Sequence, residues 1–447
     1  MNNLKAGFGR ANINPPMGIP IRGYFKPRFA EAILDDIEVN ALALQCGDVK
    51  TVLLTVDHCG IEQSLADKFR KAASESTGVP EDNIFISATH SHTAPQMLAE
   101  TDDVLVQKYT EFVESRIADV SKFAIDDLKD AKMGFGKGTA PNVAFIRRYV
   151  MKDGSVKTNP GVNNPDILRP VGETDESVNV LRFDRDGADT IVFVNFANHP
   201  DVVGGSKISA DWPGLLRADV EKILDGTKCI FFNGAQGDVN HVNVHPKAGD
   251  FNGMFVDFDD VSRGYAHAEY IARVVTGGVL QAYDKVNYVD VDKLISKQNV
   301  INVPSNRPDP SDLPEAHRIN DLHNEGRDSE LPYEGMMLTT IVAEAGRMVK
   351  LENGPDAFDM RLSAIVIGPV ALIGIPGEPF SGIGLGLKAT EGYDMVLPCC
   401  LTNGSEGYFP MQDSYDEGGY EARSSRFKAG VAEYIIDQGQ KLLKSLK

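Results

Sequence analysis

Asn83-Ile84-Phe85-Ile86-Ser87-Ala88-Thr89-His90-Ser91-His92 is the stretch that decides how this chain folds. Asn83 to Ala88 is a short apolar run bounded by polar residues, the pattern of a buried strand. Two histidines follow where it runs out. On an extended chain, side chains at i and i+2 point the same way, so His90 and His92 are expected to enter one cleft. In α/β folds, ligands gather outside the carboxyl ends of strands, and neutral imidazole is the commonest protein metal ligand. The pair therefore reads as a metal ligand with a catalytic partner.

Five other apolar runs end the same way. Thr51 to Val56 meets Asp57-His58, and Ile191 to Phe196 meets Asn198-His199-Pro200-Asp201. Cys229 to Phe232 meets Asn233-Gly234-Ala235-Gln236-Gly237-Asp238, Ala371 to Ile375 meets Pro376-Gly377-Glu378, and Met395 to Leu401 meets Thr402-Asn403-Gly404. Six coincidences of this kind predict a single sheet system whose strand ends build one site. His90, His199 and Glu378 offer two imidazoles and a carboxylate from three of those ends, a set that suits zinc with one position open. Cys46, Cys59, Cys229, Cys399 and Cys400 have no C-x-x-C spacing and read as small buried residues. His58, His241, His245 and His267 are weaker ligand candidates, and His317 and His323 lie in a polar helical stretch facing solvent.

Between the runs, Leu65 to Ser76 and Val104 to Leu128 carry helical periodicity and flank the opening strand. Strand alternates with helix, so the chain is expected to be α/β, with mixed sheets flanked by helices. Pro141 to Asp175 reads as a long irregular segment over the site. Val303 to Glu334 is polar and proline-punctuated, a helical insertion or lid, and Met336 to Lys350 is a helix. Arg361 to Ile375 forms a hairpin through Gly368-Pro369, and Ser425 to Leu446 is a last helix expected on the sheet edge. No internal repeat stands out.

The 447 residues, 42% hydrophobic, allow about three domains or one large one; the distributed strand ends favour a single catalytic domain, 1–447. A formal charge of −19 disfavours nucleic acid and anionic membrane as partners. No apolar stretch reaches the roughly 18 residues of a membrane span. The start has no apolar leader segment, and five cysteines without a disulfide framework fit a reducing compartment, so a cytoplasmic location is expected. Oligomeric state is not legible.

These motifs resemble, in order along nearly the whole chain, the catalytic N-terminal domain of the neutral, non-lysosomal ceramidases, which are zinc-dependent amidases. The matching segments are Gly7 to Ile13 with Gly23-Tyr24, Ser87 to His92, Asn198-His199 with Ile208 to Asp211, Gly237-Asp238-Val239, Gly374 to Glu378, and Asn403, Tyr408, Tyr415, Tyr420 and Glu421. The resemblance implies hydrolysis of an amide in an N-acyl, lipid-like substrate. It implies zinc held by His90, His199, Glu378 and Tyr408. It makes His92 an acid/base or oxyanion partner, Tyr420 a donor to the substrate carbonyl, and Arg147 or Arg148 a further oxyanion donor. Asp211 and Asp238 would either orient ligand imidazoles or cap turns. Where the family carries a serine after Gly-Asp-Val, this chain has Asn240. An amide is no nucleophile, so attack is expected from a metal-activated water, with Asn240 orienting the substrate. That departure also leaves room for a different acyl, ester or peptide substrate, or for a zinc-site binding protein without turnover.

Overall fold

A computed structural model describes residues 4–24, 26–247, 255–256 and 262–447; the first three residues of the start, read above for a leader, lie outside them. Twelve strands fall into three copies of one topology. In the first, β1 (Leu4–Asn12), β2 (Glu38–Cys46) and β3 (Val49–Val56) pair antiparallel in sequence order, and β4 (Ile84–Ala88) adds parallel to β3. Helix α1 (Gln63–Thr77) connects β3 to β4, and α2 (Val104–Asp126) follows. The second copy runs β5 (Lys129–Thr139), β6 (Ser177–Arg185), β7 (Thr190–Phe196), α3 (Asp211–Ile223), β8 (Thr227–Asn233) and α4 (Tyr265–Tyr283), with the same pairings. A short strand, β9 (Asn287–Val289), adds to β5.

The third copy begins at β10 (Leu294–Pro304). After an inserted helical pair, α5 (Leu313–Asn324) and α6 (Gly335–Leu351), it continues with β11 (Ala357–Ile367), β12 (Val370–Gly374), α7 (Ser381–Lys388), β13 (Met395–Cys399) and α8 (Val431–Lys444). The sequence reading found no repeat. The three copies share the order of their elements and the sense of their pairing, which are properties of the backbone rather than of residue type.

The mixed sheets flanked by helices are as expected, and the sheet system divides in two. The first two copies join edge to edge in one nine-stranded sheet through only two residue pairs, Lys5 with Asp130 and Ala6 with Lys129. The third copy is a separate four-stranded sheet. Each copy buries one face of its strands under its own helix pair and the other in a common centre. Val39, Ala41 and Ala43 of β2 pack toward α1 and α2, whereas Leu42 and Leu44 point inward. Ile191 and Phe193 of β7, and Ile365 and Ile367 of β11, enter the same central core. Strands buried on both faces read as continuous apolar runs, which is why the run ends were legible.

Pro141 to Asp175 is more ordered than expected. It carries the strands Phe145–Ile146, Arg148–Met151, Val156–Thr158 and Ile167–Pro170, the last three forming a small sheet. Helix α8 lies across β10, β11 and β12 rather than at a sheet edge. Val303 and Pro304 belong to β10, and α5 supplies the helix within 303–334. All five cysteines are buried and free.

Candidate metal centre

The site lies where strands of all three copies end. His90 is two residues past β4, His199 three past β7, and Glu378 four past β12. The chain at His90 is not extended, as the i, i+2 argument assumed. Its φ is +82°, and its N–H donates to the His58 carbonyl at 2.9 Å. A non-glycine residue held there stores strain of order 1–3 kcal/mol, so the turn survives only because its surroundings over-determine it. The His92 N–H reaches the Pro200 carbonyl at 3.2 Å. The Asn233 amide, at the end of β8, donates to the carbonyls of both Asn198 and Thr89. Loops of the first two copies are thus tied together beneath the histidines.

His90 Nδ1 faces the Cys59 carbonyl, and His199 Nδ1 faces the Gln236 carbonyl at 3.1 Å. An N–H at Nδ1 satisfies both carbonyls and leaves each Nε2 as a lone-pair donor. The two Nε2 atoms are 3.0 Å apart, and Glu378 Oε2 lies 3.2 Å from the first and 3.5 Å from the second. That carboxylate oxygen is buried and has no hydrogen-bond donor. Burial pushes the Glu378 carboxyl up, but the positive charges at His90 and Arg147 outweigh it and hold it well below the usual carboxylate range. Burial, reinforced by Arg147, holds His199 neutral, well below the usual imidazole range. Burial alone would lower His90 as well, yet the Glu378 carboxylate raises it well above its ordinary value, so a positive charge, proton or metal, is favoured between Nε2 and Oε2. A donorless oxygen and two converging imidazole nitrogens are the donor set of a borderline divalent cation such as zinc.

Glu378 pairs in register with Tyr408 between the short strands Glu378–Pro379 and Tyr408–Phe409. Burial and Glu378 together raise the Tyr408 phenol well above its usual range. Gly237 passes so close that a Cβ there would sit 2.5 Å from the Glu378 carbonyl oxygen. Only glycine fits that approach.

His92 stands beside the side chains of His90, His199 and Glu378, its Nε2 at 3.1 Å from His90 Nε2 and its Nδ1 at 3.1 Å from the Gly23 carbonyl. Burial drives its pKa down to about 3, against the pull of Asp201 at 3.7 Å. Asp201 in turn accepts from Tyr24 Oη at 2.7 Å and from Arg263 at 2.8 and 3.0 Å. This wall of Tyr24, Asp201 and Arg263 was missed in the sequence. Asp201 does stand within the quoted Asn198-His199-Pro200-Asp201, but Arg263 has no local signal.

The structure separates the two arginines. Arg147 lines the cleft with Tyr408, Tyr420 and Asn240. Its Nε meets Glu421 at 2.6 Å, and its Nη2 meets the Gly237 carbonyl at 2.8 Å. Arg148 is outside the cleft lining; its guanidinium is taken up by Ser414, Glu417 and the Gly418 carbonyl. Tyr420 stands edge-on to Tyr408, ring centroids 5.7 Å apart, and burial keeps its phenol protonated. The Asn240 side chain bonds Asn159 at 2.8 Å and the Val242 N–H at 3.0 Å, a fixed wall of the cleft.

Asp211 and Asp238 touch no imidazole. Asp211 accepts from the N–H groups of Val202, Val203 and Trp212, pinning the loop after His199. Asp238 accepts from the N–H and hydroxyl of Ser381 at the start of α7. Of the weaker histidines, His58 lends its carbonyl to His90, while His317 and His323 pair with Glu352 and Asp328. Met336 and Thr339 of α6 also line the cleft beside His92 and His199; α6 is the helix after the segment expected to form a lid.

No protein-family model matches this chain, and no curated protein sequence matches it. Among solved structures it is similar to the neutral ceramidase from Pseudomonas aeruginosa, with a TM-score of 0.75 at 16% identity over 100% of this chain and 75% of that one. It is also similar to a ceramidase complexed with C2, with a TM-score of 0.70 at 16% identity over 100% of this chain and 76% of that one. At this identity the likeness establishes a ceramidase-like fold.

Proposed function

We propose that this chain is a zinc-dependent hydrolase that cleaves the amide bond of an N-acyl, ceramide-like substrate. The observation that carries the reading is the convergence of His90 Nε2, His199 Nε2 and the donorless Glu378 Oε2 within 3.5 Å of one another. His90, His199, Glu378 and Tyr408 would hold the ion. When bound, the ion supplies a Lewis acid and lowers the pKa of water toward 7.

The protein's own groups divide the remaining work. His92, which burial holds neutral, accepts the proton of the attacking water at Nε2 and returns it to the leaving amine. General acid–base transfer of this kind is worth roughly 10²–10⁴ in rate. Tyr420 and Arg147 keep their protons and line the cleft, so each donates to the oxyanion. Such a donor is worth about 3–4 kcal/mol. Asn240, locked by Asn159 and Val242, shapes the amide subsite and offers no nucleophile.

The test is hydrolysis of a panel of N-acyl amides, matched esters and peptides, with and without added zinc. Zinc-dependent turnover of the amides, lost in His199→Ala and reduced at least a hundredfold in Tyr420→Phe, is expected. Turnover of esters or peptides alone would reject the amidase assignment, and chelator-resistant turnover would reject the metal.

A further inference from the structure

Tyr420 stands between two chambers. It lines the metal-side cleft of about 70 Å³, and it also lines a larger cavity of about 510 Å³ beside α6, Phe358 of β11 and the short helix Tyr420–Ser424. The second volume is in the range of small-molecule sites, the first is not. Val342, Leu351 and Phe358 give the larger chamber an apolar floor.

Its charges are all of one sign. Arg347, Lys350 and Arg426 line it, and no carboxylate does, although the chain carries a formal charge of −19. Arg347 is held by the backbone carbonyls of Arg423 and Asn306 at 2.8 and 2.6 Å, with its nearest carboxylate, Glu344, at 4.0 Å. Arg426 lies 3.8 Å over the Phe358 ring and pairs with Glu406 outside the lining. Lys350 is exposed and makes no ion pair among the described residues. An apolar floor bordered by Lys350 and by Arg347, whose guanidinium is held mainly by backbone carbonyls, suits an amphiphile with an acidic group, since an anion out of water needs a charged partner and an alkyl chain does not.

We infer that this chamber is the subsite for an apolar chain bearing an acidic group, and that the substrate is an anionic amphiphile rather than a neutral one. The inference rests on the amidase reading for the bond that reacts, because Tyr420 is a wall of both the chamber and the metal-side cleft. The same chemistry could reach the chamber as a free fatty carboxylate, and the test separates the two.

Binding is read first, without turnover, by calorimetry with dodecanoate, dodecanol and dodecyltrimethylammonium. Dodecanoate is expected to bind at least tenfold more tightly than dodecanol, with the cation undetectable. Ala343→Trp, which fills the chamber, is expected to abolish binding. Lys350→Glu, at an exposed side chain, is expected to weaken it about tenfold, and His199→Ala to leave it unchanged. Equal affinity for dodecanol, or dodecanoate binding that ignores both chamber variants, overturns the inference. Steady-state kinetics then separates the sources. Lys350→Glu is expected to raise KM about tenfold for an acidic N-acyl amide while sparing kcat and the neutral analogue. If KM for the acidic amide does not move, the chamber is not the substrate's. Failure of all amide hydrolysis with dodecanoate still bound would sink the amidase reading and leave the anionic site standing.

Discussion

Gly237→Ala is the sharpest probe of how the carboxylate of the proposed metal centre is placed. The new Cβ would lie 2.5 Å from the Glu378 carbonyl oxygen and 3.0 Å from both the Glu378 carbonyl carbon and the Pro379 oxygen. These are backbone atoms in a paired segment, and the Gly237 N–H already bonds the Pro379 carbonyl at 2.8 Å. Restoring ordinary separations of about 3.5 Å means moving that peptide by roughly 1 Å, whereas a working site tolerates about 0.5 Å. Overpacking of this kind costs about 1–3 kcal/mol, and misplacing a ligand by this much should weaken zinc about 10- to 100-fold, the range seen when outer-shell support is lost. Zinc affinity would be read by competition with a chromophoric chelator, and stability by urea unfolding. Gly277→Ala is the control. Gly277 lies within α4 with nothing within 4 Å of its Cβ position, so alanine should stabilise by about 1 kcal/mol and leave zinc binding unchanged. Zinc affinity in Gly237→Ala equal to wild type would refute the claim that this close approach sets the position of Glu378.

Phe232 is fully buried, stacks on Phe193 at 4.9 Å and tilts against Phe85 at 6.0 Å in the core shared by the three copies. Phe232→Ala should cost about 3–5 kcal/mol in urea unfolding, and a loss below about 1 kcal/mol would contradict a common core. Glu421→Gln should cost about 3 kcal/mol and lower kcat by at least tenfold, because Arg147 would be left as an unpaired buried charge; kinetics and unfolding like wild type would show that the pair positions nothing. Burial, with His241 adding to it, pushes His267 down to about 4, whereas an unfolded imidazole titrates near 6.5. Between these values the unfolded chain binds more protons, so the contribution is whole above about pH 6.5 and falls as pH drops toward 4, by about 3 kcal/mol at most. His267→Gln should flatten that part of the stability profile, and an unchanged slope would contradict the assignment.

Strand ends were legible because each strand is buried on both faces and stops at a residue that bends or ligates. His90, His199 and Glu378 were therefore found from three runs far apart in sequence, and the structure brings their donor atoms together. Three things were not legible, each for a physical reason. Adjacent residues of an extended segment face opposite ways, so Arg147 and Arg148 could not be told apart without knowing which face met the cleft. The left-handed turn at His90 is imposed by partners in other loops, among them the His58 carbonyl and the Asn233 amide, and no local propensity announces it. The wall of Tyr24, Asp201 and Arg263 joins residues up to 239 positions apart through hydrogen bonds that only the packed sheets create. The repeated topology was hidden too, since pairing sense and crossover order are properties of backbone rather than of residue type.

The central claim is a zinc ion held by residues from three strand ends. Diffraction from crystals of the zinc-loaded protein, recorded on both sides of the zinc absorption edge, tests it most directly. The account predicts one anomalous peak bonded by His90 Nε2, His199 Nε2 and a Glu378 carboxylate oxygen at about 2.0–2.2 Å, with Tyr408 completing the set and no peak in His199→Ala. An ordered protein with that pocket empty of zinc, or a peak held by other residues, would contradict it.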